Sequence, residues 1–366
     1  MIKVLQIING EYFNGVTRLM SDVKNNISED IEFEILTASN ICDKWHNLNV
    51  NRKSLKGRII YNYRLFKFLK KNKYDIIHIN SGAFFFTFQV AIVAKLAGIK
   101  RLIAHSHNTP HISKIKRFLI AILNPIYRKM IDVKLTCSKT ATKSLFTKED
   151  DVIFIKNGID IEEYKYNESY RNEYRKNFNI ENNIVYGHVG KFDKQKNHDF
   201  LIDIFYEIQK KQDAVLLLIG YGELEDEIKG KVTKLNIKDK VRFLGFREDV
   251  SHILNAIDFF ILPSLYEGLP ICLIEAQTSG LPVFVSDAVT DEANISNGFN
   301  KIESNDALVW AEFILKAQKN NRENAYKDTI KNGFDIKGTT KQLEEIYINL
   351  INKNKRKGKL WEVKRL

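Results

Sequence analysis

Short apolar runs alternate with amphipathic segments from the first residues onward, and that rhythm admits few architectures: strand and helix units stacked around parallel sheets. Runs expected to be strands in the first half are 4–8, 33–37, 76–79, 102–104, 134–137 and 152–155. A second series opens at Val185 and continues through 214–219, 241–244, 259–262 and 283–286. Between them, 157–183 is charged, rich in Tyr and Asn, and lacks an apolar run of strand length, so a domain boundary belongs there. A chain of 366 residues also exceeds what one hydrophobic core usually serves. After Gly333, the pattern Ile336, Leu343, Ile346, Tyr347, Leu350 predicts a last helix.

The composition, 44% hydrophobic and 28% charged, is that of a folded soluble protein. Cys42, Cys137 and Cys272 are far apart and lack metal-ligand spacing, which argues for a reducing compartment and against a structural zinc site. The opening Met1-Ile2-Lys3-Val4-Leu5 reads as a strand rather than a secretory signal. The longest apolar stretch, 83–98, is interrupted by Gln89 and Lys95 and is too short to cross a bilayer, so a buried helix is expected. These features together place the chain in the cytoplasm. Its net charge of +12 is one-sided: from Lys44 to Ile131 there are 18 Lys and Arg against the single acid Asp75. Such a half attracts an anionic membrane surface, a phosphorylated lipid or nucleic acid, or is simply lysine-rich surface.

The most specific stretch is Ser264-Leu265-Tyr266-Glu267-Gly268-Leu269-Pro270-Ile271-Cys272-Leu273-Ile274-Glu275-Ala276. Pro270 suits the first position of a helix, where a missing N–H goes unnoticed. Glu267 then lies on the preceding loop and Glu275 about a turn and a half into the helix. Both carboxylates can face a ligand held over the helix N-terminus, whose free N–H groups favour an anion. Acids that accept from sugar hydroxyls, with the Gly268 and Leu269 N–H groups near a diphosphate, suit a sugar nucleotide. Read by spacing alone, the same acids also describe the surface of an ordinary helix.

Gly190-Lys191-Phe192-Asp193-Lys194-Gln195-Lys196-Asn197-His198 sits between a strand and a helix expected near Asp199. Lys191 and Lys196 can bracket a diphosphate there, through bonds about twice as strong as neutral ones, or they are simply a solvated lysine cluster. Gly15, leading into a helix from Thr17 after Gly10-Glu11-Tyr12-Phe13-Asn14, would let backbone approach a phosphate closely. Gly220-Tyr221-Gly222 reads as a second such turn, or as a plain connection. His105 and His107 in Ala104-His105-Ser106-His107-Asn108-Thr109-Pro110 end a parallel strand, the edge where open sheets bind ligands. A metal pair there lacks a third ligand at suggestive spacing. The segment 114–130 has basic flanks, Lys114, Lys116, Arg117, Arg128 and Lys129, around an apolar centre. It would lie in a membrane interface or pack on its own sheet. Tyr61, Tyr63, Phe66 and Phe68 among the lysines of 44–73 add to the membrane option; no nucleic-acid recognition module is legible.

Glu267 and Glu275, with Gly-Leu-Pro between them, resemble the Glu-x7-Glu motif of retaining GT-B glycosyltransferases of family 4, in the capsule and exopolysaccharide branch. Lys196 matches the family Lys, while Lys191 replaces its usual Arg and exchanges a planar fork for a point charge. Asn157-Gly158-Ile159-Asp160 is similar to the turn closing the family's first domain, with Lys156 in place of Pro; at the first turn only Gly15 carries over. The resemblance implies an α/β GT-B fold: two Rossmann-like parallel-sheet domains facing a central cleft. The acceptor-side domain would be 1–165, the nucleotide-sugar domain 166–335, and a helix in 336–366 would cross back to the first. It implies a metal-independent enzyme without cofactor. Glu267, His107 and Lys196 would be catalytic; Gly15, Lys191, Lys196, Gly220, Gly222, Gly268, Leu269, Pro270 and Glu275 would bind the donor. His105 would support its loop. The expected partners are a nucleotide sugar, a glycan or lipid-linked acceptor and an anionic membrane, at the inner face of the cell membrane, with no nucleic acid. A sugar-nucleotide epimerase on this fold, or a basic lipid- or nucleic-acid-binding protein with a vestigial donor site, are the rival readings.

Overall fold

Near-continuous apolar runs form the strands because both faces of each sheet are covered by helices. The computed structural model of the chain describes residues 1–9, 15–107, 113–146 and 152–352. The chain divides into two units, Met1–Ile159 with Asp335–Leu366, and Asp160–Phe334. The first has strands β1 (Ile2–Ile8), β2 (Ile31–Thr37), β3 (His46–Asn47), β4 (Ile76–Asn80), β5 (Arg101–Ser106), β6 (Val133–Thr136) and β7 (Val152–Phe154). They pair in parallel in the order β3-β2-β1-β4-β5-β6-β7. Side-chain alternation divides β1 between two cores. Val4 and Ile8 meet Leu19, Met20 and Val23 of helix Gly15–Asn26, with Leu343, Ile346 and Tyr347 of helix Ile336–Asn352. Leu5 and Ile7 meet helices Leu55–Lys71 and Phe84–Leu96 on the other face. The apolar stretch 83–98 is thus a helix packed into this core, although Phe85, Ile92 and Leu96 on its outer side are exposed.

The second unit has β8 (Ile184–Val189), β9 (Ala214–Ile219), β10 (Val241–Gly245), β11 (Phe259–Leu262), β12 (Val283–Ser286) and β13 (Phe299–Ile302). Their order is β10-β9-β8-β11-β12-β13, again parallel throughout. Two strands were not expected from the sequence. β3 has only two residues, too few for a periodic signal, and β13 buries only Ile302 of its four residues. Helix Glu168–Asn177 is tied to this sheet through Asp258, 1% exposed at its side chain, which accepts from Arg171, Arg175, Lys319 and the Val185 N–H.

Both sheets share one logic: strand order reverses between β1 and β4 and again between β8 and β11. The crevice beyond the carboxyl ends of such a strand pair is where open sheets take ligands. Among the described residues no helix is long and apolar enough to cross a membrane. The tail cations Lys353, Lys355, Arg356, Lys357 and Lys359 lie outside the described residues, as do 10–14 and Asn108-Thr109-Pro110.

Candidate active site

In the second unit, the loops leaving β8 and β11 are stapled to each other. Leu265 N–H donates to the Gln195 carbonyl at 2.8 Å, and Asn197 Nδ2 to the Pro263 carbonyl at 3.2 Å. Asn197 takes a left-handed conformation, φ 56°, which ends the 3-10 turn Lys194–Lys196 and opens helix His198–Gln209. The stapling brings Lys196 Nζ to 2.6 Å from Glu267 Oε1, while Gln195 Nε2 donates to Glu267 Oε2 at 3.1 Å. Lys196 and Glu267 thus form one nearly buried ion pair, with 15% and 6% of their side chains exposed. Burial works against the Lys196 charge, but Cys272, Glu267 and Asp193 around it outweigh that and raise its pKa. Lys196 is therefore an ammonium throughout the physiological range.

Helix Ile271–Thr278 begins one residue later than the sequence suggested. Pro270 is its N-cap, with extended backbone and no side-chain cap, because a pyrrolidine offers neither oxygen nor N–H. No acid occupies the first turn, so the N–H groups at this end are left for an anion. Gly268 is half-buried, and Leu269 and Pro270 are buried. Glu275 Oε1 accepts from the Tyr164 hydroxyl at 2.8 Å. Cys272, one residue into the helix, is pushed up to about 12 by burial; Lys196 pulls it down, and Glu267 and Glu275 push it further up.

Lys191 is exposed and has no acid partner among the described residues. Gly220 and Gly222 serve close backbone approach. A Cβ on Gly220, at φ +139°, would sit 2.0 Å from the Gly190 carbonyl oxygen, and one on Gly222 would sit 2.4 Å from that of Phe192. Their turn therefore packs directly against the loop carrying Lys191.

In the first unit, His107 follows β5 and is 4% exposed. Its Nδ1 lies 3.0 Å from Asn157 Oδ1 and its Nε2 3.0 Å from Asn80 Oδ1. Two oxygens on two ring nitrogens would suit an imidazolium, yet burial lowers this pKa to about 4, against the Asn157 bond. The ring is neutral at pH 7, so one amide must present its NH2 group instead. Asn80 is pinned, since its Nδ2 donates to Gln6 Oε1 at 2.9 Å and faces the His78 backbone carbonyl, which can only accept, at 3.4 Å. Gln6 in turn donates to the Tyr347 hydroxyl at 3.0 Å. Asn157 is the amide that turns, and neutral His107 keeps its proton on Nε2. His105 stacks between His78 and His107, at 5.3 and 3.9 Å, with no hydrogen-bond partner on either ring nitrogen. Burial holds it neutral, with its pKa well below the usual value. Gly15 is exposed at the start of its helix. Among the described residues no three His, Cys, Asp or Glu side chains are placed to hold a metal ion.

Sequence reasoning missed Gln195, Tyr164 and Asn80. Nothing in their local pattern marks them; each acts through a partner at least 27 positions away. Asn157 was visible as part of a turn, but not as a partner of His107.

Two doubly wound parallel sheets of this order define a GT-B fold, and solved structures agree. Anabaena Alr3699/HepE in complex with UDP-glucose superposes with a TM-score of 0.77 at 19% identity, over 95% of this chain and 100% of that one. Residues 170–335 match the family described as Glycosyl transferases group 1, and residues 28–163 match Glycosyltransferase Family 4. The chain belongs to these glycosyltransferases. An Escherichia coli UDP-Gal:alpha-D-GlcNAc-diphosphoundecaprenol alpha-1,3-galactosyltransferase is 28% identical over 78% of this chain and 78% of its own length. The capsular polysaccharide biosynthesis glycosyltransferase CapH of Staphylococcus aureus is 23% identical over 95% and 99%.

Proposed function

We propose that this glycosyltransferase moves a sugar from a nucleotide diphosphate, a UDP-sugar, to a hydroxyl of a lipid-linked glycan in cell-surface polysaccharide assembly, with retention and without metal. The single observation that carries this reading is the nearly buried Lys196–Glu267 pair, with Glu267 on the loop that leads into the uncapped Ile271 helix, the helix that carries Glu275. As the bond to the anomeric carbon breaks, charge accumulates on the departing diphosphate. Lys196, Lys191 and the helix N-terminus act on that charge, so they favour the transition state more than the bound donor. Glu267 holds hydroxyls near the reacting carbon, and Glu275, steadied by Tyr164, holds the ribose. Glu267 already accepts from Lys196 and Gln195, which blunts it as a nucleophile. Retention then fits a same-face displacement in which the leaving phosphate takes the acceptor proton.

An anionic membrane is the surface on which this acceptor would be met. Helix Lys114–Met130 buries Asn124 and Tyr127 and leaves Ile115, Phe118, Leu119, Ile122 and Ile126 exposed by 43 to 76%. Spaced at three and four, they form one stripe bordered by Lys114 and Lys129, the arrangement of a helix lying in a lipid interface. Asn124 and Tyr127 on the buried edge fit the packing reading of this segment, and the exposed stripe supports the interface reading. Tyr61, in contrast, is core, with Phe66 and Phe68 packed against it.

The direct test is transfer from radiolabelled UDP-sugars to a membrane extract by the purified protein and its Lys196→Ala variant. Wild-type rates in the variant would remove the phosphate site. Donor turnover that needs no acceptor would favour an epimerase, and salt-sensitive binding of unrelated DNA without turnover would favour a binding protein.

A further inference from the structure

Arg52 is a cation with an unusual setting. Its Nη2 donates to Asn9 Oδ1 at 2.5 Å, and its guanidinium lies 5.0 Å from the Tyr61 ring centre and 4.4 Å from that of Phe86. Its Nε is buried with no acceptor, and among the described residues no acid pairs with it. Two aromatic faces and one amide oxygen fix the position of this charge without neutralising it.

The place matters as much as the pairing. Asn9 follows β1 and Ser81 follows β4, the two strands between which the order of the first sheet reverses; Asn9 Nδ2 donates to Ser81 Oγ at 3.0 Å. Helix Phe84–Leu96 starts immediately beyond, with Ala83 as an N-cap that provides no side-chain bond and with no acid in its first turn. Phe86 is in that first turn, so Arg52 is held against the positive end of a helix dipole. Like charge is brought to like, an arrangement that an anion seated between them would turn from cost to gain. The stretch 44–131, with Asp75 its only acid, adds a field of the same sign.

We propose that Arg52 holds a phosphate of the acceptor, the diphosphate that links its glycan to a lipid. The proposal builds on the transferase reading but is separable from it. Asn9 occupies Nη2 and leaves Nη1 to the phosphate oxygens, while the Phe84 helix presents backbone N–H groups from its first turn. The donor phosphates belong to the lysines of the second unit, so the two diphosphates have different cationic partners.

Farnesyl diphosphate, a short prenyl diphosphate, is the probe, titrated calorimetrically into protein saturated with UDP. Wild-type protein is expected to bind it, Arg52→Gln to bind it at least tenfold more weakly, and Arg52→Lys to fall between, since charge survives without the planar fork. Farnesol, lacking phosphate, should bind wild type and both variants alike, and UDP affinity measured alone should not change. Equal farnesyl diphosphate affinity in wild type and Arg52→Gln, or none in wild type, overturns the proposal. A tenfold loss of UDP affinity in Arg52→Gln overturns it too, by assigning the residue to the donor. Failure of wild type to bind any nucleotide diphosphate would instead sink the transferase reading. Arg52→Lys keeps the test open should Arg52→Gln misfold.

Discussion

The two units share a strand order and differ in what they place at its reversal. In the second, the cation at the crevice, Lys196, is nearly buried and clasped by Glu267. In the first, the cation, Arg52, has aromatic faces and an amide oxygen for company. A buried ammonium needs a carboxylate to exist in low dielectric. A half-buried guanidinium, more weakly hydrated and able to lie against rings, does not. One fold thus yields a rigid, internally compensated charge pair in one unit and a net positive seat in the other.

Breaking the compensated pair should have the largest effect. Lys196→Ala removes the charge facing the diphosphate and leaves Glu267 almost buried without its partner; transfer rates should fall by about 10²–10³ or more, judged from single stabilising donors elsewhere. A variant that folds, as judged by circular dichroism, and retains a tenth of the wild-type rate would undo the contrast between the units.

Acidification should separate them next. His78, His105 and His107 in the first unit and His188 and His198 in the second are all buried, and burial lowers every one of their pKa values, to about 3 for His78 and about 4 for His107 and His198. An unfolded chain takes up these protons near pH 6.5. The folded chain therefore keeps their full contribution above about 6.5 and loses it progressively as pH falls toward 4. With three such residues against two, the first unit should open first, read as earlier hydrogen exchange in β1, β4 and β5 than in β8 and β11. Simultaneous opening, or protection unchanged from pH 7 to 4.5, would contradict this.

Smaller effects refine the donor side. Tyr164→Phe removes a hydrogen bond to the Glu275 carboxylate, and a bond to a charged group is worth roughly tenfold or somewhat more; that loss should appear in the KM for the donor, with little change in melting temperature. Smallest of all, Lys191→Arg restores a fork where the chain has a point charge, and should lower the donor KM by a few-fold. A rise in KM would mean that Lys191 does not face the phosphate.

Much of the architecture could be read in advance because it is local. Apolar runs covered on both faces need no long-range information, and eleven strands followed from them; β3 and β13 did not, being too short or too polar to leave a period. Lys196, Glu267 and Glu275 were nameable from the resemblance of their local motifs to a known family, since spacing alone also describes a solvated lysine cluster and the acids of an ordinary helix. Their mutual geometry was not, since Lys196 and Glu267 are 71 residues apart and meet only because β8 and β11 are neighbours.

Residue order alone determined the parallel-sheet class, two series of strands, the one-sided charge and one acid before and one within a proline-led helix, all consequences of near neighbours along the chain. Tertiary structure decided which charges are compensated: that Lys196 finds an acid and Arg52 does not, that His107 is neutral with its proton on Nε2, and that the 114–130 helix leaves an apolar stripe outside. Those outcomes depend on burial and on partners distant in sequence, because desolvation and Coulomb terms act through space and not along the backbone.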